Sequence, residues 1–182
     1  MKLGQIFGNS NVNDVEGTRE SDMIEELEVE GKAEEIAKLL RNAFGTVAED
    51  FNFTIEDAPT NPAFISEEEL LKASANKRIR YFGYFCNSIL VGCYALEQVD
   101  DTLFYLERLA VRPEERHKGI GRELVLHAFD FVKVMKGEKI SIGIIDENRV
   151  LKEWYKSLGF ELGEQKVFSH LPFSVRFMEY EL

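Results

Sequence analysis

The spacing of apolar residues along this chain predicts four helices. In each of them apolar side chains recur every three or four residues, which places them on one face of a helix. Gly45 and Gly137 follow two of these stretches and are expected to end them, while Ser66 to Glu69 resembles a capping box. The predicted helices cover Ala33–Phe44, Ser66–Asn76, Gly119–Lys136 and Asn148–Leu158.

Seven other stretches are short, rich in aromatic and aliphatic residues, and bounded by turn residues, as is typical of strands. They cover Met23–Glu30, Arg78–Cys86, Ile89–Glu97, Thr102–Val111, Lys139–Ile145, Phe160–Phe168 and Val175–Tyr180. The fourth and fifth strands are separated by a helix, and a strand, a helix and a strand in succession imply a parallel pair. The sequence therefore predicts a mixed α/β domain whose sheet is otherwise antiparallel.

The length and the apolar content fit one folded domain. The chain has 182 residues, of which 45% are hydrophobic, including 14 Phe and 6 Tyr, so one core can be buried. The longest mostly apolar run, Ile89 to Leu96, is far shorter than the roughly 20 residues that span a bilayer. Met1 to Val15 also lacks an apolar signal core. We therefore expect no membrane association.

The charge is acidic and concentrated at one end. The net charge is -11, and residues 1–30 hold two basic and eight acidic side chains. This balance repels a phosphate backbone, so nucleic acid is not an expected partner. It would attract cations such as amines, although the same charge can serve only to keep the protein in solution.

Residues 1–22 are predicted to be an N-terminal extension, and residues 23–182 a single domain. Met1 to Asp22 is rich in Gly, Asn, Asp and Ser and has no sustained apolar period. A segment of this composition is ordered only where something holds it. We therefore expect a homodimer in which the extension packs on the neighbouring protomer.

The two cysteines, Cys86 and Cys93, form no metal-binding motif with the three scattered histidines, so no metal is expected. A hairpin turn at Asn87 and Ser88 would place Cys93 opposite Phe82, too far from Cys86 for a disulfide. Reduced cysteines in a cytoplasmic protein are the better interpretation.

The strongest chemical signal lies between a strand and the longest helix. The strand residues Leu106 to Pro113 lead into the basic turn Arg116 to Gly121, which opens the helix. Such a turn points unpaired backbone N–H groups and the positive end of the helix at one place, and glycines let an anion approach closely. A pyrophosphate is the fitting ligand. The basic residues nearby also favour phosphate contact, although they could be an ordinary surface: Arg112, Arg116, His117, Lys118 and Arg122.

A second element follows at a fixed distance: Asn148, then Tyr155, then Ser157 to Phe160. Together with the Arg-x-x-Gly-x-Gly turn, it resembles the GNAT superfamily of acetyl-CoA-dependent N-acetyltransferases. The resemblance covers roughly 23–182 and is most specific between Leu106 and Phe160. It implies helices on both faces of the sheet and a parallel strand pair that splays apart around the cofactor.

The resemblance also implies the acetyl-CoA site. The turn amides would wrap the CoA pyrophosphate, the preceding strand would pair with pantetheine, and Asn148 and Tyr155 would lie beside the pantetheine arm and the thioester sulfur. The expected cofactor-binding residues are Leu109, Ala110, Val111, Arg116, His117, Lys118, Gly119, Ile120, Gly121, Arg122, Asn148 and Tyr155.

Amine attack on a thioester needs a base, an acid and a donor to the oxyanion. Glu107 could accept the amine proton, Tyr155 could protonate the leaving sulfur, and the Leu109 N–H could meet the oxyanion. Alternatives stay open, because Glu107 could instead pair with Arg108 or Arg80, Tyr155 could be a core aromatic, and Asn148 could be only a helix cap.

Two loops are expected to shape the acceptor site. They are Phe51 to Ile65 and Ser169 to Ser174, and their candidate substrate-binding residues are Phe51, Phe64, His170 and Phe173. For His170, packing against Phe173 is the competing interpretation. The expected acceptor is a small cationic amine. A protein or peptide amine, and a non-catalytic acetyl-CoA-sensing module, are the alternatives.

Overall fold

The computed structural model describes residues 22–182. The strands are β1 (Met23–Leu27), β2 (Ile79–Cys86), β3 (Ile89–Gln98), β4 (Leu103–Val111), β5 (Lys139–Ile145), β6 (Glu161–Val167) and β7 (Ser174–Glu181). The helices are α1 (Ala33–Asp50), α2 (Glu67–Ser74), α3 (Ile120–Val134) and α4 (Arg149–Ser157). Short 3-10 helices occupy Val29–Gly31, Pro62–Phe64 and Pro113–Glu115.

One mixed sheet forms the centre of the fold. Its strand order is β1-β2-β3-β4-β5-β7-β6, and β4 and β5 are parallel whereas the other neighbours are antiparallel. The parallel pair is the one joined through α3, because a helix carries the chain back along the sheet. The predicted element order and the predicted mixed sheet are confirmed.

The helices cover both faces of the sheet, as the resemblance implies. On one face, α1 and α2 bury Ile36, Leu40 and Leu70 against the sheet in a single apolar cluster. On the other face, α3 and α4 form a second cluster, in which Leu124 and Tyr155 are buried. The strands that form the site described below are therefore covered by packed helices on both faces of the sheet.

Helix α1 is longer than the sequence predicts. The expected stop at Gly45 is wrong, because the helix continues to Asp50. A glycine inside a helix costs only about 1 kcal/mol, and the apolar face continues beyond it through the buried Ala48. The helix ends instead before Asn52, whose φ of 52° is left-handed.

The capping-box prediction is confirmed. The Ser66 hydroxyl accepts from the Glu69 backbone N–H at 3.2 Å, and the Glu69 carboxylate accepts from the Ser66 backbone N–H at 2.8 Å. Both bonds satisfy N–H groups that the start of a helix otherwise leaves free.

The β2–β3 hairpin turns at Asn87 and Ser88 as predicted, but the predicted register is wrong. A bulge after Tyr84 shifts the pairing, so that Cys93 lies opposite Gly83 instead of Phe82. Within residues 22–182, no disulfide joins Cys86 and Cys93.

The predicted extension, residues 1–22, lies outside the described residues except for Asp22. Within 22–182, no helix is both long and apolar enough to cross a membrane.

Candidate active site

Strands β4 and β5 pair over only part of their length. Their ladder runs from Leu103–Lys139 to Tyr105–Ser141, and beyond it β4 continues to Val111 and β5 to Ile145. The outer edges of both strands stay paired, with β3 and β7 respectively. The inner edges therefore diverge, and each offers backbone N–H and C=O groups to a ligand placed between them.

A bulge in β4 lies where the two strands diverge. Glu107 pairs with Ala95 and Ala110 pairs with Cys93, so two residues of β4 stand opposite one residue of β3. The first of these two, Arg108, has a left-handed φ of 50°. Bulges of this kind redirect a strand and are common beside functional sites.

The turn before α3 and the first turn of that helix carry six consecutive backbone N–H groups without an acceptor in the described part of the chain. His117 and Gly119 have left-handed φ values of 62° and 90°. Within residues 22–182, the N–H groups of residues 117 to 122 have no hydrogen-bond acceptor, and the next N–H, that of Glu123, donates to the Gly119 carbonyl. A run of unpaired donors at a helix start is an anion-binding arrangement.

The side chain of Arg116 does not face this turn, which the sequence did not indicate. Its guanidinium donates to the carbonyls of Ala43 and Val111 at 2.7 and 3.3 Å and to the Thr46 hydroxyl at 3.0 Å. Its backbone N–H donates to the Pro113 carbonyl. Arg116 therefore anchors the turn to α1, and a side-chain contact with phosphate is not its role in this structure.

The other basic residues in and next to the turn are partly or fully exposed. His117, Lys118 and Arg122 are exposed, and Arg112 is half-buried. Lys118 forms an exposed ion pair with Glu115 at 2.8 Å. The positive charge around the six free donors is consistent with an anionic ligand.

Asn148 immediately precedes helix α4, and Tyr155 lies within it. The Asn148 side chain caps the helix by accepting from the Leu151 N–H at 3.0 Å, so the capping alternative is correct. Tyr155 is buried, packs edge-on against Phe160, and burial raises the pKa of its phenol. The hydroxyl is therefore held in its protonated form at neutral pH.

Trp154 links the two motif elements, a role that sequence reasoning missed. A β-carbon added at Gly121 would lie 3.4 Å from Cζ2 of Trp154. Trp154 also packs edge-on against Tyr155, with ring centroids 4.8 Å apart. The indole thus sets the distance between α4 and the first turn of α3. The lone tryptophan in an amphipathic helix was the available signal.

Glu107 lies half-buried on the α1 and α2 side of β4. Burial raises the pKa of its carboxyl, the nearby Arg108 opposes that rise, and Glu97 adds to it. The Arg108 Nη1 donates to Glu107 at 3.1 Å, whereas Arg80 pairs with Glu26 at 3.2 Å. Of the two predicted alternative partners, the structure shows Arg108.

The two loops that are predicted to shape the acceptor site meet at the C-terminal end of β5, beyond its pairing with β4. Phe53 lies 6.3 Å from Phe64 and 5.4 Å from Phe173 between ring centroids. Phe51 and Ile145, at the end of β5, belong to the same apolar group, which we call the aromatic cluster. The structure therefore brings three of the four predicted substrate residues together.

The fourth predicted substrate residue, His170, is not part of the aromatic cluster. It is exposed and its ring lies 5.7 Å from that of Phe168. The expected packing of His170 against Phe173 is therefore wrong.

An ion cluster just after β5 was also missed. Arg176 donates to both carboxylate oxygens of Asp146, at 2.9 and 3.2 Å, and Lys152 of α4 donates to the same carboxylate. These cations hold the pKa of Asp146 at about 2. The cluster ties the start of α4, and with it Asn148, to β5 and β7. Arg176 lies 30 residues from Asp146 in sequence, so no local pattern signals the whole cluster.

The described residues contain no group of three His, Cys, Asp or Glu side chains placed to hold a metal ion.

Comparison with known proteins gives a family and a fold. Residues 35–160, more than half of the chain, match the model of the acetyltransferase (GNAT) family. A search of curated protein sequences found no match.

Solved structures of acetyltransferases share the fold at low sequence identity. The PaiA N-acetyltransferase from Thermoplasma acidophilum, in complex with coenzyme A, is 22% identical with a TM-score of 0.73, covering 89% of this chain and 99% of its own. The ribosomal-protein-S18-alanine N-acetyltransferase from Escherichia coli is 18% identical with a TM-score of 0.70, covering 88% and 94%. A GNAT family acetyltransferase from Elizabethkingia anophelis with acetyl-CoA bound is 16% identical with a TM-score of 0.61, covering 90% and 99%.

Proposed function

Because the chain belongs to the GNAT acetyltransferase family, we propose that it transfers an acetyl group from acetyl-CoA to a primary amine by direct attack in a ternary complex. The observation that carries this proposal is the run of six free N–H donors, residues 117 to 122, beside the diverging edges of β4 and β5. A pyrophosphate suits the donors, and an extended amide-bearing chain suits the strand edges.

The residues present fit acetyl-CoA. The free amides of the turn would hold its pyrophosphate, and the edge of β4 at Leu109, Ala110 and Val111 would pair with its amides. Asn148 and Tyr155 would lie along the arm. When bound, acetyl-CoA supplies an acetyl thioester to the amine.

Two side chains would move the protons. Glu107 accepts the amine proton at its carboxylate, directly or through water, and Tyr155 supplies a proton from its hydroxyl to the leaving sulfur. The Leu109 N–H donates to the oxygen that becomes negative. Cys93 is not placed as a nucleophile, since it is buried and burial raises the pKa of its thiol to about 12.

A small cationic amine is the proposed acceptor. The segment 49–69, which forms one wall of the aromatic cluster, carries seven acidic and no basic side chains. Glu97 adds a further negative charge near Glu107. Acidic surroundings concentrate cationic substrates and speed their association, and salt weakens that effect.

A panel of acceptors tests the proposal. Release of free thiol from acetyl-CoA would be followed with spermidine, an aminoglycoside, a basic peptide and a neutral amino acid, each at low and high salt. We expect the highest kcat/KM with the small cations, and a decrease with salt. Preference for the amino acid without salt dependence would overturn the acceptor class, and no turnover with any amine would overturn the reaction.

Glu107→Gln tests the base. We expect a decrease in kcat of about 10² to 10⁴, the usual value of general base catalysis. Glu164→Gln is the matched control, because it neutralises an exposed glutamate whose partner is the exposed Lys166 on the distant edge strand β6. A Glu107→Gln enzyme as fast as the wild type would remove Glu107 from the mechanism.

We also propose that residues 1–22 are an extension to a catalytic domain over 23–182. In this proposal the extension packs on a second protomer in a homodimer. We further propose that the protein is cytoplasmic. No disulfide joins Cys86 and Cys93 in the part of the chain that the structure describes, which supports a reducing compartment. Light scattering of the full chain would give the mass, and a monomer would overturn the dimer.

A further inference from the structure

Arg108 and Glu107 are adjacent in a strand, yet their side chains meet. Neighbouring strand residues normally point to opposite faces of a sheet. Here the left-handed φ of Arg108 breaks the alternation at the β4 bulge, and Nη1 of Arg108 reaches Glu107 at 3.1 Å. The guanidinium also lies over the ring of Tyr81, 5.9 Å from its centroid. Both contacts are on the α1 and α2 side of the sheet, where Tyr81 belongs to the core.

The conformation and the burial of Arg108 would be energetically unfavourable if the side chain served only to pack against the core. A residue with a β-carbon is strained at a left-handed φ, where glycine would be relaxed. Nε of Arg108 is buried and has no hydrogen-bond partner within residues 22–182, and the same is true of the Tyr81 hydroxyl. Buried polar groups without partners are rare in folded proteins and cluster where function requires them.

We propose that Arg108 is a positioning residue for Glu107: its guanidinium keeps the carboxylate ionised and directs it toward the opening between β4 and β5. This inference rests on the proposed function, since it takes Glu107 to be the group that accepts the amine proton. Arg108 itself touches neither substrate nor cofactor in this assignment.

Arg108 is the one cation that opposes the protonation of Glu107 among the residues that the structure describes. From β3, Glu97 favours protonation, and from β2 the neutral phenol of Tyr81 lies nearby. Helices α1 and α2 turn apolar side chains toward this side of the sheet. Burial adds to the effect of Glu97, so removal of Arg108 leaves only influences that raise the pKa of Glu107.

The test compares Arg108→Gly with Arg108→Lys. Glycine removes the charge and accepts the left-handed φ, so this variant retains the backbone, whereas lysine keeps the charge. In protein labelled with carbon-13 at glutamate carboxyls, the Glu107 resonance is the one that Glu107→Gln removes. We expect its titration midpoint to rise by about one pH unit or more in Arg108→Gly, the usual effect of losing an adjacent arginine, and to stay near the wild-type value in Arg108→Lys.

The pH profile of kcat/KM with spermidine gives the second readout. Because the base must be ionised, the acid limb of Arg108→Gly moves to higher pH and the two enzymes converge at high pH. A shift of one unit corresponds to about tenfold slower turnover well below the acid limb. Arg80→Gln is the control, since Arg80 pairs with Glu26 and packs on Phe131, and it should shift neither readout.

The outcomes separate this inference from the proposed function. An unshifted midpoint in Arg108→Gly, or a rate lowered equally at every pH, overturns the role of Arg108. Wild-type activity in Glu107→Gln overturns the base itself, and then a shifted midpoint reflects a structural ion pair. A slow Glu107→Gln with shifted Arg108→Gly and unshifted Arg108→Lys supports both.

Discussion

The guanidinium of Arg116 donates to the carbonyl oxygen of Ala43 at 2.7 Å, which ties the turn before α3 to the middle of α1. A second bond, to the Thr46 hydroxyl, lies one helical turn further along α1. The end of this helix leads directly into the aromatic cluster. One side chain therefore joins the proposed cofactor turn to the helix that precedes the proposed acceptor site.

We expect Arg116→Ala to lower the free energy of unfolding by about 1.5–3 kcal/mol, since hydrogen bonds to a charged group contribute about that much. Urea denaturation measures the change. Lys118→Ala is the matched control, because it removes a cation of the same turn whose only described ion pair is exposed, and such pairs are worth about 0–1 kcal/mol. Equal losses in the two variants would contradict the anchoring role.

Gly121→Glu should weaken acetyl-CoA binding by about tenfold or more, because like charges brought together cost several kcal/mol and each 1.4 kcal/mol is tenfold in Kd. The new side chain also starts 3.4 Å from Trp154. Calorimetry measures the affinity. Gly31→Glu makes the same chemical change where nothing lies within 4 Å of the added carbon, and it should bind as the wild type does. Unchanged affinity in folded Gly121→Glu would remove this turn from the cofactor site.

Much of the fold follows from local patterns, and the misplaced element ends show where tertiary packing prevails. Gly45 has the sequence of a helix stop, but the burial of Ala48 draws α1 onward. The register of Cys93 depends on a bulge after Tyr84, opposite Gly92, which the two-residue hairpin turn alone does not predict.

The candidate site was predictable where its features lie in the backbone of one short segment. Gly119 and Gly121 signal a turn with free donors, and the structure has them. The side chains were harder to place. The direction of the Arg116 side chain depends on its bonds to α1, and that of Arg108 depends on the positive φ of Arg108 itself, which is unusual for a residue other than glycine. The sequence alone does not indicate which non-glycine residue adopts a positive φ.

Tyr155→Phe should reduce kcat by about 10² to 10⁴ while leaving acetyl-CoA affinity nearly unchanged, as expected for loss of a general acid. Burial raises the pKa of the phenol, so the hydroxyl carries its proton throughout the neutral range. Steady-state kinetics and calorimetry separate the two effects. Tyr180→Phe removes a hydroxyl from a ring that stacks on Phe129 and should retain wild-type kcat. Full turnover by Tyr155→Phe would exclude the acid role.

The ion cluster at the end of β5 should make stability depend on acid. The pKa of Asp146 lies near 2, below its usual value, because Arg176 and then Lys152 stabilise the carboxylate. A folded-state pKa below that of the unfolded chain means that the contribution to stability is complete above the unfolded value. It is then lost as the pH falls from about 4 toward 2.

Asp146→Asn lacks this contribution at every pH and leaves two cations side by side, with side chains only 18% and 22% exposed. We therefore expect its Tm to lie well below that of the wild type at pH 7, and the difference to shrink as both proteins are acidified toward pH 2. Thermal melts followed by circular dichroism across this range measure it. Glu164→Gln, which removes an exposed partner of Lys166, should show little difference at any pH. A Tm difference for Asp146→Asn that stays constant from pH 7 to 2 would show that lost packing, and not the ionised carboxylate, is what the cluster contributes.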